Sequence, residues 1–474
     1  MSDHIVERKI ICDFDDIFFL NKQFDKCLKI YNIGVKHINK ELEVLYKDEI
    51  FNKYLEDLDT YIDDFYNLLN NKGLNEYGIQ EYLVKAKKNY KININIVQKI
   101  GTNLNKSLYK LVFKKKFLNF KKYGQLNSFE GKTAKGDIIY KDNAVKVLGR
   151  TFKLKKTRDK DYYLKESLKG KIAFCRIVRK ASKTGFNYYL QIVIKGPAPK
   201  KLCKGSGKAG LDQGISTLAV WGDEAFFYIL AEGVEKYDKE IKRLSIEYNR
   251  KLKLANKDKL ENGKFKKGVK LKKTKSCIKI LFKLKNAYRR KSCFVKDSNR
   301  GLNNILISSF DTFITEDMDY RAFTRRSKKT ERSDKPSVIK GKEVYKFKKK
   351  KRFGSSILRR NPGFRQKDFE EKCKKYGCKI SKVERCFCAS KFNHITGKKE
   401  DYKLSDRSKI IGNSRVQRDL YSAFLLKNAK RGRKEVDIKK CNKEFDNFLD
   451  SQIKLIKKIK DTTGNFGLKD FKKQ

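Results

Sequence analysis

The chain has 474 residues, with 116 Lys and Arg against 56 Asp and Glu and a formal net charge of +60. A compact chain with that excess repels itself, so the composition calls for a polyanionic partner, and nucleic acid is the obvious one. No run of 18 apolar residues, no apolar core behind the charged start MSDHIVERKIICDFDD, and eleven scattered cysteines lead us to expect no membrane span, no secretory leader and reduced thiols in a cytoplasm.

Codon bias in an AT-rich genome explains Lys in place of Arg, but not the excess of bases over acids. The basic residues run along the whole chain and are not gathered on one amphipathic helix, which argues against a membrane-surface role.

In chain order, IVERKIICD (5–13) predicts a short strand, and 17–122 predicts a mostly helical region. Val97, Ile100, Leu104, Leu108 and Leu111 recur at spacings of three and four, one face of a helix. The basic run Lys114, Lys115, Lys116, with Phe117, Phe120, Lys121 and Lys122 behind it, reads either as a solvated helix end or as a patch for a nucleic-acid backbone.

KIAFCRIVRK and FNYYLQIVIK flank ASKTG, which predicts a hairpin. KGPAPKK (195–201) reads as a linker. Strand periodicity returns at 209–230. Residues 234–300 predict two helices across a charged loop, with Arg289 and Arg290 on the second. ILISSFDTFITEDMDY (305–320) reads as an apolar strand ending in acids.

TRRSKKTERSDKPSVIKGKEVYKFKKKKR (324–352), which carries Arg325, Arg326, Lys351 and Arg352, lacks a core pattern and reads as a mobile basic loop. DFEEKCKKYGCKISKVE predicts helix–turn–strand, VQRDLYSAFLLKNAK a helix, and 435–462 a last basic helix.

Three acids stand against this background. Asp212 sits in the strand AGLDQGISTLAVW, Glu316 closes FDTFIT, and Asp419 follows Arg418 at the start of a helix. Taken singly, they read as a turn acid, an exposed strand end and a helix N-cap. Taken together, they suggest a carboxylate cluster, because a buried carboxylate needs a cation, donors or a metal. Carboxylates suit Mg²⁺ or Mn²⁺. Two such ions about 3.5–4 Å apart promote phosphodiester hydrolysis.

GLDQGISTLAVW, FITEDMDY and QRDLYSAFLL resemble the three segments of the RuvC-type, RNase H-like nuclease domain, and more closely those of TnpB proteins and the compact type V CRISPR effectors. KRFGSSILRRNPGFRQKDFEEKCKKYG and FLNFKKYGQLNSFEGK also resemble TnpB stretches. The resemblance implies an α+β multidomain fold. A wedge β-barrel (1–16 and 123–200) would hold an inserted helical recognition lobe (17–122). A RuvC-like domain (201–370 and 416–434) would follow, with its own helical insertion, then a 371–415 insertion and a basic C-terminal helix (435–474).

It further implies Asp212, Glu316 and Asp419 as catalytic metal ligands, two Mg²⁺ or Mn²⁺ ions, a guide RNA of transposon or CRISPR origin, and cleavage of double-stranded target DNA beside a short motif. The contacts expected with nucleic acid are Lys114, Lys115, Lys116, Lys121, Lys122, Arg289, Arg290, Arg325, Arg326, Lys351, Arg352 and Arg418.

Many relatives carry a four-cysteine zinc ribbon before the third segment. Here Cys373, Cys378, Cys386 and Cys388 form no paired C-x2-C knuckles, so no zinc is expected, although His394 lies nearby. The competing readings are a guided DNA-binding repressor, which the intact acid set disfavours, and a DDE-type transposase, which the QRDLYSA setting of the third acid disfavours. His4, His37 and His394 are not spaced for an HNH nuclease.

Overall fold

The computed structural model describes residues 3–156, 161–266, 268–324, 336–339, 342–345, 354–384, 386–402 and 406–458. They form two compact units, Met1–Pro199 with Lys251–Asn286, and Lys200–Arg250 with Ala287–Gln474.

The first unit opens with strand β1 (His4–Lys9) and the long helix α1 (Phe14–Leu45). Asp13 caps α1, and a reciprocal bond with Asp16 completes a capping box. Helices α2 (Glu49–Glu56), α3 (Leu58–Asn71), α4 (Glu76–Ala86) and α5 (Ile94–Leu111) follow. Val97, Ile100, Leu104 and Leu108 of α5 are buried, as their spacing predicts, and Leu111 is half-buried.

Strands β2 (Ser128–Glu130), β3 (Ile138–Lys141), β4 (Ala144–Val147) and β5 (Arg150–Lys153), helix α6 (Tyr162–Leu168), and strands β6 (Ile172–Ala181) and β7 (Phe186–Ile194) complete the N-terminal stretch. β6 and β7 form the hairpin expected around ASKTG. They lie in an antiparallel sheet of order β1-β7-β6-β2, beside a β3-β4-β5 meander. One core joins helices and sheets, with Phe24 of α1 edge-on to Phe129 of β2 at 4.9 Å.

The second unit is built on strands β8 (Lys208–Gln213), β9 (Thr217–Trp221) and β10 (Ala225–Ile229). The two predicted helices are α7 (Glu235–Leu254) and α8 (Lys275–Ser309). Between them lies the small hairpin β11 (Leu260–Glu261) and β12 (Lys264–Phe265), which groups with the first unit.

β13 (Thr312–Thr315) comes next. The expected strand at 305–320 is therefore short, because 305–309 completes α8. Leu306 and Ile307 are buried while Ile305 is half exposed, which is helical burial that an unbroken apolar run does not disclose.

The chain continues through β14 (Ser337–Ile339), β15 (Lys342–Val344), α9 (Gly354–Arg360), α10 (Pro362–Tyr376), β16 (Lys379–Lys382), β17 (Ser408–Ile411), β18 (Ser414–Gln417), α11 (Arg418–Lys427) and α12 (Ile438–Lys458). The main sheet has the order β10-β9-β8-β13-β16. β8, β9 and β10 are antiparallel, and β13 and β16 run parallel to β8. β16 thus lies within the stretch that the sequence assigns to an insertion after 370.

Alternation splits the strands between two cores. Ala209, Leu211, Leu218, Val220 and Phe313 pack with Phe369 and Cys373 of α10. Ala219, Trp221 and Ile314 pack with Leu420 and Phe424 of α11 and Phe448 of α12. The basic C-terminal helix is therefore part of the second unit. Its Phe448 ring stands edge-on to Trp221 at 5.3 Å, and its Ser451 hydroxyl accepts the Ala225 N–H at 2.8 Å. No described helix is long and apolar enough to cross a membrane.

Candidate active site

Strand alternation sets the site. Gly210 and Asp212 point to the α11 face of β8, and Leu211 and Gln213 to the opposite face. Gly210 lets the helix lie on the strand, since a Cβ there would meet the Ala423 carbonyl oxygen at 2.0 Å and the Lys427 nitrogen at 2.5 Å. α11 starts beside the C-terminal end of β8, and Asp419 is its second residue.

The third acid comes from β13. Thr315 pairs in parallel with Leu211, so Glu316, one residue on, stands beside Asp212 and shares a face with Ile314. The three acids gather at the carboxyl ends of parallel strands, where open α/β sheets place their ligands.

Their charges interact. The Asp212 carboxyl is held well above the ordinary carboxylate range. Burial is the largest cause, followed by the charges of Asp419 and then Glu316, against a weaker pull from Arg418 and Arg407. Burial likewise raises Glu316. Asp419 has cationic neighbours, Arg418 at 3.3 Å and Arg407 at 3.8 Å.

Asp419 is not the helix cap. Gln417 caps α11, its side chain accepting the Leu420 N–H at 2.6 Å, and Gln452 of α12 accepts the Gln417 N–H at 2.7 Å. The Asp419 carboxylate is thereby released from capping and faces the other acids.

Among the described residues no three His, Cys, Asp or Glu side chains are drawn close enough to enclose an ion. The three acids nonetheless fit a hard divalent cation by chemistry. All the donors are carboxylate oxygens, and their like charges raise Asp212 in the way that a bound cation would reverse.

Behind the acids lies a polar network that the sequence does not announce. Arg365 of α10, 1% exposed, donates to the Gln213 side chain, which donates to the Thr315 hydroxyl. Asn303 of α8 donates to the Arg365 carbonyl at 2.9 Å and to Asp368 at 2.9 Å. The Tyr320 hydroxyl donates to the Gln213 carbonyl at 3.4 Å and the Gly214 carbonyl at 3.3 Å. The residues that follow Asp212 and precede Glu316 are thus fastened to each other and to two helices. A polar residue at an inward strand position, Gln213, is the one available signal.

On the acid side, the buried Lys409 of β17 donates to the Ser390 carbonyl and lies 4.2 Å from the Tyr402 ring centre. Burial, with Arg418, lowers its amine to about 8, against the pull of Glu400, Asp419 and Asp212.

His394 is 1% exposed, its Nδ1 is 2.6 Å from the Tyr421 hydroxyl, and burial lowers it to about 4. Cys373 is buried in α10 and Cys378 is half-buried, whereas Cys386 is exposed beside Glu384.

Of the predicted nucleic-acid contacts, Arg418 stands with the acids. Arg290 pairs with Glu240 at 3.5 Å and lies over Tyr237, and Arg289 is half-buried. Lys114, Lys115, Lys116 and Lys122 are exposed in the first unit, and Lys121 is half-buried. Arg325, Arg326, Lys351, Arg352 and most of the basic loop lie outside the described residues.

No protein-family model and no curated relative matches the chain. Solved structures do. A Cas12f1–sgRNA–target DNA complex is 13% identical, covers 88% of this chain and 84% of its own, and superposes with a TM-score of 0.47. A CRISPR-Cas12f ternary complex is also 13% identical, over 88% of this chain and 82% of its own, with a TM-score of 0.29. The mini-RNA-guided endonuclease CRISPR-Cas_phi3 is 10% identical, over 88% of this chain and 91% of its own, with a TM-score of 0.32.

These neighbours are compact type V CRISPR effectors. They are the kind of protein that the three acid-bearing motifs resemble. At identities of 10–13%, the chemistry of the site has to follow from this chain's own residues.

Proposed function

We propose that the chain is an RNA-guided DNA endonuclease of the TnpB and compact type V kind, and that Asp212, Glu316 and Asp419 hydrolyse the phosphodiester. The observation that carries the proposal is the convergence of these acids. They come from two adjacent parallel strand ends and a helix start, close enough for Glu316 and Asp419 to raise Asp212. The mixed sheet with acids at its carboxyl ends supports an RNase H-like, RuvC-type domain, and the β1–β7 sheets with α1–α5 support a wedge barrel and recognition lobe.

Guide RNA and target DNA, which the Cas12f1 neighbour holds, are the proposed partners. Support within this chain is the +60 charge and the motif resemblance.

The residues have distinct tasks. Asp212, Glu316 and Asp419 would hold two Mg²⁺ or Mn²⁺ ions, which when bound activate water and stabilise the leaving oxygen. Arg418 and Arg407 place positive charge beside Asp419, where a phosphate's non-bridging oxygens would sit. Gln213, Thr315, Arg365 and Tyr320 fix the backbone that carries the first two acids. Attack of water on phosphorus with loss of the 3′ oxygen leaves a 5′-phosphate and a 3′-hydroxyl.

The test is to sequence RNA retained through a high-salt wash and then reprogram its variable end against a plasmid. Cleavage that follows the new sequence in Mg²⁺ is expected. Recovery of only random cellular RNA, with no programmable cleavage, would overturn the proposal.

A further inference from the structure

Residues 113–123, FKKKFLNFKKY, lie far along the sequence from the acids and take no part in the chemistry proposed above. They follow α5. After a single 3-10 turn at Val112–Lys114 the chain runs without regular structure to residue 122, but it is not loose. Two asparagines of α1 bracket it. Asn39 donates to the Leu118 carbonyl and accepts the Leu118 N–H, both at 2.9 Å, and Asn32 does the same for Lys121, again at 2.9 Å.

The brackets match in length. Asn32 and Asn39 are seven helical residues apart, about 10.5 Å along α1 at 1.5 Å per residue. Leu118 and Lys121 are three residues apart, about 10 Å if extended. An extended strap is therefore pinned antiparallel to the helix, and the Tyr46 hydroxyl holds its start by donating to the Lys116 carbonyl at 3.0 Å.

Pinning the strap does not bury its aromatic rings. Leu118 turns into the core, while Phe117, Phe120 and Tyr123, three residues apart, are 46%, 57% and 56% exposed. Phe117 leans edge-on against Tyr46, and Tyr123 leans edge-on against Phe186 with the Arg179 guanidinium over its ring at 5.5 Å, so Tyr123 keeps only its other face for stacking. Phe120 has no aromatic neighbour among the described residues. Lys114, Lys115, Lys116 and Lys122 are exposed between and beside the rings, and the strap contains no acid.

Ordered, exposed aromatic rings interleaved with cations are what a strand with unpaired bases requires. The rings offer stacking faces to the bases and the lysines offer charge to the phosphates. A duplex hides its base faces and could use only the lysines.

We propose that the 113–123 strap is a binding platform for single-stranded nucleic acid, with Phe117, Phe120 and Tyr123 stacking on bases and Lys114, Lys115, Lys116 and Lys122 neutralising phosphates. The proposal rests on the guided-nuclease reading for the source of such a strand, an unpaired guide segment or a displaced DNA strand. It does not rest on the acids.

Phe120→Trp in the full chain gives a local reporter, because Trp221, the one native tryptophan, is buried. The probes are (dT)12, (rU)12 and a 12-base-pair DNA duplex, each followed by anisotropy and by the added tryptophan fluorescence. The single strands are expected to quench the reporter and the duplex to leave it unchanged. The stronger of the DNA and RNA signals identifies the source.

Phe120→Ala should weaken single-strand binding about tenfold, because one base loses its stacking partner, without changing the salt slope. Gln at the four lysines should lower that slope by about 0.7 for each phosphate that is no longer neutralised. An unquenched reporter at anisotropy saturation, or equal quenching by duplex, overturns the platform. If programmable cleavage persists in that case, the guided-nuclease reading stands without it.

Discussion

Gly210→Ala should dismantle the active site from a position that bears no functional group. The added Cβ would stand 2.0 Å from the Ala423 carbonyl oxygen and 2.5 Å from the Lys427 nitrogen. Both are backbone atoms of α11, so no rotamer change relieves the clash. Restoring an ordinary separation of 3.4 Å moves the helix off β8 by about 1.4 Å.

Asp419 rides on that helix while Asp212 stays on the strand, so the two carboxylates separate by a similar distance. A misplacement of about 1 Å at a reacting centre costs on the order of a hundredfold in rate. Overpacking a core costs roughly 1–3 kcal/mol of stability. The assay is single-turnover cleavage of a guide-matched duplex in Mg²⁺, alongside guided binding and urea denaturation of the same protein. We expect cleavage to fall about a hundredfold, stability to fall by about 1–3 kcal/mol, and guided binding to persist. Wild-type cleavage with unchanged stability would refute the packing of α11 on β8 and, with it, the way Asp419 reaches Asp212.

Gln213→Leu should cost about 2–3 kcal/mol in urea denaturation, because the buried Arg365 loses a charge-assisted acceptor. Adding Arg365→Met should recover part of that loss, and an additive double mutant would show that the two side chains do not interact. His394 titrates at about 4 in the folded chain against 6.5 ordinarily, so the unfolded chain binds the extra proton between those values and stability falls as pH drops through that window. The loss is on the order of 3 kcal/mol. His394→Asn should lose less stability than wild type between pH 7 and pH 4.5, and equal losses would contradict a buried neutral imidazole.

Much of the fold was legible because period decides it. The three and four spacing in α5 and the alternation either side of ASKTG map directly onto buried faces. The 305–320 stretch misled because an apolar run without period does not distinguish a helix end from a strand. Asp212, Glu316 and Asp419 stand out in the sequence through the motifs that carry them. The alternative reading of Asp419 as a helix cap is set aside by the backbone, which places Gln417 at the cap and Asp419 two residues on.

The network of Gln213, Asn303, Thr315, Tyr320 and Arg365 was legible only in the inward-facing polar Gln213. Its members are spread over more than 150 residues, and only the crossing of β8, β13, α8 and α10 brings them together. The strap was half legible. Its lysines were marked as a patch, but nothing in the sequence ties Asn32 and Asn39 to its backbone.

The central claim is that the three acids act as one hydrolytic unit. The direct measurement pairs guided binding with cleavage, in Mg²⁺ and with a matched guide, for Asp212→Ala, Glu316→Ala and Asp419→Ala. Each should lower cleavage by at least about a thousandfold, with combined substitutions adding little, because removing a ligand disrupts water activation and leaving-group stabilisation together. Guided binding should persist in all three, since removing one carboxylate relieves repulsion among the others. Near wild-type cleavage by Asp212→Ala, or loss of guided binding along with cleavage in all three, would contradict the account.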